Sequence, residues 1–255
     1  MKNINLTLVQ PDIVWEDASA NRKKYAEMLS SVEFTDVILL PEMFTTGFSM
    51  RSNKLKETMD GPSVEWMKNV ARQKSAVVAG SLIIRDGKDN YNRFVWVTPD
   101  GETATYDKRH LFSMGEEHRH YSPGKERLIL EYKGWRICPL ICYDLRFPVW
   151  SRNAGDYDLL LYVANFPSPR HAVWKNLLVA RAIENQSWCI GVNRVGKDGA
   201  GLDYAGDSGW IDPRGNAHFL GAAEGVHQIT LSLQQLQRFR EKFPVLEDRD
   251  AFRLL

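Results

Sequence analysis

The sequence is poor in cysteine and lacks the spacings of a disulfide framework. Its 255 residues include only Cys138, Cys142 and Cys189, and no C-x-x-C pair occurs. An odd number of cysteines in a chain of this length argues against a small secreted scaffold held together by disulfides. We therefore predict free thiols and a reducing compartment, the cytoplasm.

Long apolar runs are absent as well. No segment approaches the roughly 18 apolar residues that would cross a bilayer. The first residues do not form the apolar stretch of a signal peptide, because they are interrupted by Asn3, Asn5, Thr7 and Gln10. We expect neither a membrane partner nor a cleaved leader.

The sequence also lacks excess charge and nucleotide-binding motifs. Lys and Arg number 33, Asp and Glu 32, and the net charge is +1. This balance gives no reason to expect a nucleic acid or an anionic membrane as partner. No glycine-rich phosphate loop or dinucleotide fingerprint occurs. We expect no cofactor, and a small-molecule substrate as the partner.

Strand-like and helix-like segments alternate along the chain. Residues 4–8 alternate between apolar and polar, which predicts a strand with one buried face, and the apolar run at 36–41 predicts a strand buried on both faces. Further predicted strands cover 76–84, 91–97, 102–106, 127–132, 135–141, 158–164, 188–193 and 226–231. Predicted helices cover 17–31, 61–73, 146–155, 171–186 and 233–242, and a long loop covers 108–125.

Two turn signals join neighbouring strands into hairpins. They are Thr98–Gly101 and Asp212–Gly215, in which Pro and Gly supply the backbone angles of tight turns. The hairpins distinguish the pattern from a regular eightfold βα repeat. No repeat or flexible linker divides the chain, so we predict one domain over residues 1–255. The predicted class is mixed α/β, with helices covering the sheet faces.

Cys142 stands at a corner between a predicted strand and a predicted helix. The apolar strand 135–141 leads into it, and the helix 146–155 follows. Such a corner presents the nucleophile in unrelated hydrolases. A helix N-terminus favours the thiolate, and the amide after the corner can hold an oxyanion. Cys138 and Cys189 lie inside apolar strands, where a free cysteine is usually a buried small hydrophobe.

Two charged residues stand at the ends of strands. Glu42 ends a buried strand, and the carboxyl ends of strands are where α/β sheets build their sites. Lys108 follows the strand of the first hairpin and is next to Arg109, which is also cationic. Taken singly, each is more often a solvent-exposed residue.

Three segments in a fixed order form a more specific pattern: Leu40–Glu42, Asp107–Phe112 and Cys142–Arg146. Three further segments fit the same pattern: Ser122–Gly124, Asn165–Pro167 and Arg181–Gln186. From the first strand to about residue 245, the chain resembles the nitrilase superfamily of carbon–nitrogen hydrolases. The resemblance implies a four-layer αββα sandwich and a homodimer or larger homo-oligomer.

The resemblance also implies a triad of Glu42, Lys108 and Cys142. It further implies a second glutamate before the Ser-Pro-Gly segment. Glu117 fits that position better than its neighbour Glu116, judged by the distance along the chain to the segment.

Each of these residues then has an expected role. Glu42 takes the thiol proton as general base, and Cys142 attacks a carbonyl carbon to form a thioester. Lys108 and the amide of Tyr143 hold the oxyanion of the tetrahedral intermediate. Glu117 positions Lys108 or the substrate.

Within the superfamily, the segments Pro41–Phe48 and Ser113–Tyr121 are most similar to the bacterial ω-amidase group. That resemblance implies hydrolysis of the terminal amide of 2-oxo dicarboxylic acid monoamides such as 2-oxoglutaramate. The substrate carboxylate needs a cationic partner. Arg170 is the first candidate, and Arg146 is the second unless it pairs with Asp144. The expected pocket walls, for which core packing is an equal alternative, are Phe44, Tyr143 and Phe166.

Other functions fit parts of the pattern. A related hydrolase acting on a nitrile, a carbamoyl group or an aliphatic amide would share the triad. A metal hydrolase could use Glu116, Glu117, His118 and His120, but their spacing matches no metal motif, so we expect no metal. A catalytically silent binding protein on the same fold is the remaining alternative.

Overall fold

The computed structural model describes residues 3–252, and most of its strands belong to two six-stranded sheets. The strands are β1 (Asn3–Gln10), β2 (Val37–Leu39), β3 (Val77–Asp86), β4 (Asp89–Val97), β5 (Thr103–Asp107), β6 (Leu130–Tyr132), β7 (Trp135–Ile141), β8 (Leu159–Val163), β9 (Trp188–Val192), β10 (Val195–Lys197), β11 (Asp203–Ala205), β12 (Gly209–Ile211), β13 (Ala217–Phe219) and β14 (Gly225–Ser232). The α-helices are α1 (Ala18–Met28), α2 (Ser52–Leu55), α3 (Pro62–Lys74), α4 (Pro148–Ser151), α5 (His171–Glu184) and α6 (Leu233–Lys242). Short 3₁₀ helices cover Ser113–Gly115, Glu117–Arg119, Cys142–Arg146, Ser168–Arg170 and Val245–Asp248.

Each sheet has a parallel centre and antiparallel edges. The first sheet has the order β14-β1-β2-β3-β4-β5, and the second has the order β13-β12-β9-β8-β7-β6. Strands β1, β2 and β3 are parallel to one another, as are β7, β8 and β9. A separate antiparallel pair is formed by β10 and β11. Parallel strands end at the same edge of their sheet, where α/β proteins place their sites.

The alternation of side chains along the strands divides the apolar residues between two cores. Val77 and Ala79 of β3 belong to a core that also contains residues of the second sheet, such as Ile137. Val78, between them in sequence, belongs to another core that includes Met67 of α3. The first sheet therefore packs against the second sheet on one face and against α1 and α3 on the other.

Helix α5 covers the second sheet. Its Trp174 and Leu178 lie so close to Gly191 of β9 that a Cβ at this glycine would collide with both side chains. The layers are thus helices, sheet, sheet and helix, which confirms the predicted αββα sandwich. The core shared by both sheets supports the prediction of one domain, which stays a prediction.

The helices differ in how well they were predicted. Helix α6 has the predicted bounds, 233–242. The helix predicted at 146–155 is wrong, because Pro148 keeps Phe147 extended, at φ −114° and ψ 89°, and so separates a 3₁₀ helix from the four-residue α4. Helix α2 and strands β10 and β11 were not predicted. Between residues 3 and 252, no helix has the length and apolar character needed to cross a bilayer.

Candidate active site

Glu42 lies just beyond β2 and is completely buried. Its Oε1 accepts hydrogen bonds from Lys108 Nζ and Asn92 Nδ2, each at 2.8 Å. Its Oε2 accepts the backbone N–H of Asn165 at 2.8 Å. These donors compensate for the loss of water around the buried carboxylate.

Lys108 follows β5 and directs its ammonium group at two carboxylates. Nζ donates to Glu42 Oε1 at 2.8 Å and to both oxygens of Glu117, at 3.0 and 2.9 Å. Burial disfavours the charged ammonium, but the charges of Glu117 and Glu42 outweigh burial and raise the pKa of Lys108. Lys108 therefore remains a cation at neutral pH.

Glu117 reaches this group from a 3₁₀ helix within the segment predicted as a loop. Besides Lys108, it accepts the backbone N–H of Phe112 at 2.6 Å and Nδ2 of Asn92 at 3.1 Å. Burial raises the pKa of Glu117, and Lys108 opposes this shift. Glu116 is instead exposed at the surface and pairs with Arg119 at 2.6 Å. The structure thus brings Glu117, and not Glu116, to Lys108.

Cys142 follows β7 directly, with a backbone φ of +42° that non-glycine residues rarely adopt. Its thiol is free, and Sγ lies 3.8 Å from the carbonyl oxygen of Asn165. Burial and the charge of Glu42 raise the pKa of the Cys142 thiol, and the charge of Lys108 opposes the shift. The expectation that a helix N-terminus favours the thiolate is wrong, because Cys142 begins only a five-residue 3₁₀ helix and burial raises the pKa of its thiol.

Asp144 holds the corner after Cys142 in place. Its Oδ2 accepts the N–H of Ile141 at 3.0 Å and the hydroxyl of Tyr106 at 2.7 Å. Its Oδ1 lies 2.8 Å from Nδ1 of His110 and accepts that residue's N–H at 2.9 Å. With these partners, Asp144 forms no ion pair with Arg146, so the alternative that Arg146 serves Asp144 is corrected.

Sequence reasoning missed Asn165, which connects Glu42 with Cys142. Asn165 follows β8, its side-chain Nδ2 donates to the backbone carbonyl of Glu42 at 2.5 Å, and its own carbonyl faces the thiol. Sequence reasoning also missed Asn92 and Ser81. The sequence did contain a sign of both residues, because a polar residue interrupts a row of inward-facing apolar residues on each of two neighbouring strands. On β3, Ser81 follows Val77 and Ala79, and on β4, Asn92 lies in the row of Trp96 and Phe94.

A cavity of about 610 Å³ opens beside Cys142, a size typical of sites for small organic ligands. It is lined by Lys108 and Cys142 and by four of the predicted substrate-binding residues, Tyr143, Arg146, Phe166 and Arg170. The remaining lining residues were not predicted: Phe48, Met50, Phe112, Met114, Gly115, Asn165, Pro167, Asp198, Ala200, Leu202 and Tyr204. Several of them come from the loop between β10 and β11.

Phe44 does not line this cavity, so its prediction as a pocket wall is wrong. Its ring packs 5.7 Å from the ring of Tyr25 and 6.0 Å from that of Trp66, in the core between the first sheet and its helices. The turn after Glu42 directs Phe44 toward the outer face of the first sheet. Phe44 is a core residue.

Arg146 and Arg170 add positive charge to the cavity beside Lys108, and Asp198 adds a negative charge. Among residues 3–252, neither guanidinium group takes part in a salt bridge with a carboxylate. The guanidinium carbon of Arg170 lies 5.2 Å from the ring centre of Phe112, which lies in turn 5.1 Å from the ring of Tyr143. Both cations are therefore available to a negatively charged group in the cavity.

In the part of the chain that the structure describes, Glu116, Glu117, His118 and His120 do not form a metal centre. Within residues 3–252, no three His, Cys, Asp or Glu side chains are arranged to hold a metal ion. Both oxygens of Glu117 are instead engaged by Lys108.

The chain is similar to known proteins in both sequence and fold. Residues 5–241 match the family described as carbon-nitrogen hydrolase. The chain is 49% identical over 259 residues to omega-amidase YafV of Escherichia coli (strain K12), with 100% of both chains covered. It is 36% identical over 251 residues to the 2-oxoglutaramate amidase of Bacillus subtilis (strain 168), covering 95% of this chain and 96% of the relative. Among solved structures, XC1258 from Xanthomonas campestris, a CN-hydrolase superfamily protein with an arsenic adduct in its active site, has a TM-score of 0.98 at 45% identity, with 100% of both chains covered.

The sandwich fold and these similarities show that the protein is an enzyme of the amidase class. The chain belongs to the carbon–nitrogen hydrolase family, as the sequence motifs indicated, and shares the fold of the nitrilase superfamily. The predicted family, fold and enzyme class are confirmed. The roles of the individual site residues stay predictions.

Proposed function

We propose that this amidase is an ω-amidase, which hydrolyses the terminal amide of 2-oxo dicarboxylic acid monoamides such as 2-oxoglutaramate. The names of the relatives from Escherichia coli and Bacillus subtilis support this substrate class. The observation that carries the proposal is the cavity itself. It is lined by Cys142, Arg146 and Arg170, which suits an amide that carries a carboxylate at its other end.

In the first half of the reaction, Glu42 takes the thiol proton while Cys142 Sγ attacks the amide carbon. The general base has to act during the attack, because the raised pKa of the thiol leaves little preformed thiolate. The carbon–sulfur bond forms, and the carbonyl oxygen becomes an oxyanion. Glu42 then returns the proton to the nitrogen, the carbon–nitrogen bond breaks, and ammonia leaves a thioester on Cys142.

In the second half, water attacks the thioester carbon, and Glu42 takes a proton from that water. A second tetrahedral intermediate collapses, the carbon–sulfur bond breaks, and the sulfur regains its proton from Glu42. The products are the free acid and the starting enzyme. One carboxylate therefore serves as base and acid in both halves.

Lys108 and the backbone amide of Tyr143 stabilise the oxyanion in both halves. Lys108 lines the cavity and remains cationic, so it offers a full positive charge to the developing negative oxygen. Tyr143 follows Cys142 directly, which suits its N–H to the same task. Glu117 holds the ammonium group through both carboxylate oxygens.

Arg170 binds the substrate carboxylate, with Arg146 as the second candidate. The ring of Phe112 supports the guanidinium of Arg170 at 5.2 Å, which fixes its direction, whereas Arg146 is exposed. Tyr143 and Phe166 provide apolar walls beside the substrate chain.

The test is an ammonia-release assay with a panel of substrates. We expect release from 2-oxoglutaramate and much slower release from amides of the same length without a carboxylate. Turnover of simple nitriles, carbamoyl compounds or uncharged amides in preference to 2-oxoglutaramate would favour another carbon–nitrogen hydrolase activity. No turnover of any compound, together with no acyl adduct on Cys142 in mass spectrometry, would favour a binding protein.

We also propose that the enzyme is a homodimer or a larger homo-oligomer. Apolar side chains of α4, α5 and the segment after α6 are exposed, namely Val149, Ile183 and Phe243 at 55%, 48% and 60%. Exposed apolar side chains mark an interface when they form one contiguous patch, which the proposal requires of these three. Size-exclusion chromatography with light scattering should give twice the mass of the chain or a larger multiple of it, and a monomer at micromolar concentration would contradict the proposal.

A cytoplasmic location is the last part of the proposal. Its support is the state of the three cysteines, all of which are free thiols. Free thiols persist in a reducing compartment. Fractionation of the source cells should place the chain with cytoplasmic markers, and recovery with an oxidising compartment would contradict this.

A further inference from the structure

Asn92 of β4 connects the two buried carboxylates through one carboxamide group. Its Nδ2 donates to Glu42 Oε1 at 2.8 Å and to Glu117 Oε1 at 3.1 Å. The two N–H bonds of a carboxamide are then both used. Asn92 is completely buried and does not line the cavity, so it acts on the carboxylates and not on the substrate.

The orientation of this carboxamide is set by a chain of hydrogen bonds from the first sheet. The hydroxyl of Ser81 on β3 donates to Asn92 Oδ1 at 2.8 Å, and the backbone N–H of Met43 donates to the Ser81 hydroxyl at 2.8 Å. Because Oδ1 receives the hydroxyl proton, the amino side of the carboxamide faces the carboxylates. A rotated carboxamide would place its oxygen against Glu42 and Glu117, which is unfavourable.

The two carboxylate oxygens of Glu42 therefore differ in how many hydrogen bonds they accept. Oε1 accepts from both Asn92 and Lys108, which fills its two acceptor positions. Oε2 accepts the N–H of Asn165 alone and keeps one position open. Oε2 is therefore the oxygen with room for the proton of Cys142.

We infer that Asn92 is a positioning residue, which holds Glu42 and Glu117 around Lys108 so that Glu42 Oε2 faces Cys142 as the proton acceptor. The inference rests on the proposed function, in which Glu42 acts as the general base. Asn92 contributes two donors without adding charge, so it favours the ionised form of both carboxylates.

The pH dependence of the reaction reports this role. The titratable side chains that face the two carboxylates are Lys108, Cys142 and Tyr121. In Asn92→Asp, both donors are lost and a third carboxylate joins the group. The ionised form of the general base then becomes less favourable, and the acid limb of the kcat/KM profile should move to higher pH.

The experiment compares Asn92→Asp with two other variants. For Asn92→Asp we expect kcat to fall about 10- to 100-fold, as for loss of a hydrogen bond to a charged group, with KM unchanged. Ser81→Ala should cause a smaller loss in the same direction, because Asn92 keeps its donors but loses its orienting hydroxyl. The matched control is Asn90→Ala on the same strand, whose Nδ2 contacts Ser52 and Asn53. It should leave kcat and the acid limb unchanged.

Alkylation of Cys142 by iodoacetamide provides a readout that needs no amide substrate. Its rate, followed by peptide mass spectrometry over a range of pH, should fall in Asn92→Asp at a given pH and recover as the pH rises. This profile tests the inference even if wild-type enzyme releases no ammonia from any ω-amide, the result that would defeat the proposed function. An unshifted acid limb and unshifted alkylation profile in folded Asn92→Asp and Ser81→Ala would overturn the inference, whatever the loss of stability.

Discussion

Lys108 Nζ lies 3.0 and 2.9 Å from the two carboxylate oxygens of Glu117, so one ammonium group faces a whole carboxylate inside the protein. The same ammonium donates to Glu42 at 2.8 Å. One buried cation is therefore shared by two buried anions, and the group has a surplus of negative charge when both carboxylates are ionised. Removing any member leaves the others incompletely paired.

Replacing Glu117 tests whether this carboxylate holds Lys108 for catalysis. In Glu117→Gln, the side chain keeps its shape but Lys108 loses a charged partner, so we expect kcat/KM to fall about 10- to 100-fold. The neighbouring Glu116→Gln is the control, because Glu116 is exposed and pairs only with Arg119 in the described structure. Equal kcat/KM values for the two variants, measured by ammonia release, would exclude this role for Glu117.

Replacing Lys108 by Met tests the charge balance through stability. Burial raises the pKa of Glu117, Lys108 lowers it and Glu42 raises it, so removal of Lys108 should raise this pKa further. A folded-state pKa above the unfolded value means that stability is present at low pH and is lost as the pH rises through the folded-state value. At neutral pH, Lys108→Met should lose about 3–5 kcal/mol of unfolding free energy relative to wild type.

The difference in unfolding free energy between wild type and Lys108→Met should narrow as the pH falls toward about 4–5, the ordinary range of a glutamate pKa. Urea denaturation of both proteins at neutral and acid pH measures it. A difference that is the same at both pH values would show that the two carboxylates do not repel each other as the geometry indicates. Turnover should also fall about 100- to 1,000-fold, the usual effect of losing an oxyanion donor.

Cys142 variants test the thiol chemistry. We expect Cys142→Ala to have no turnover and to retain the fold, as judged by circular dichroism. Cys142→Ser should be nearly inactive, because a hydroxyl is far harder to deprotonate than the thiol, whose pKa burial already raises. Cys138→Ala is the matched control, since this thiol is completely buried in the apolar core around the second sheet. Near-normal rates in Cys142→Ser would argue against a thioester.

Arginine variants test how the substrate carboxylate is bound. Arg170→Met should raise KM for 2-oxoglutaramate about 10- to 100-fold, which corresponds to the loss of a charged hydrogen-bonded pair. The KM for an uncharged amide of similar length should not change. Arg146→Met, measured in the same way, distinguishes the two candidates. If only Arg146→Met affects the charged substrate, the assignment of the carboxylate moves to Arg146.

Periodicity in the sequence was sufficient for most elements of the fold. The amphipathic segment 233–242 and the apolar runs at β7 and β8 were assigned correctly, because burial of one face or both faces leaves a direct pattern. The apolar pattern does not reveal a backbone constraint that one residue imposes inside a helix-like segment. Pro148 is such a constraint, and it reduced the helix predicted at 146–155 to the four residues of α4.

The chemistry of the site was visible in the sequence only as separate motifs. Glu42, Lys108 and Cys142 could be named because their segments keep the order and spacing of a family. The direction of the Phe44 side chain could not be predicted, because the turn after β2 ends the alternation of side chains between the two faces of the sheet. The loop between β10 and β11, which lines the cavity, also has no periodic pattern.

The sequence by itself determined most strands and helices through apolar periodicity and indicated the family through local motifs, because both are properties of short segments. The sandwich of two sheets and the three central side chains were implied by the resemblance to that family. Only the tertiary structure decided that Glu117 rather than Glu116 meets Lys108, that Asn92 joins the two carboxylates and that Asn165 lies between Glu42 and Cys142. These contacts join residues from different strands, sheets and loops. Their distances depend on how the sheets pack, which no single segment encodes.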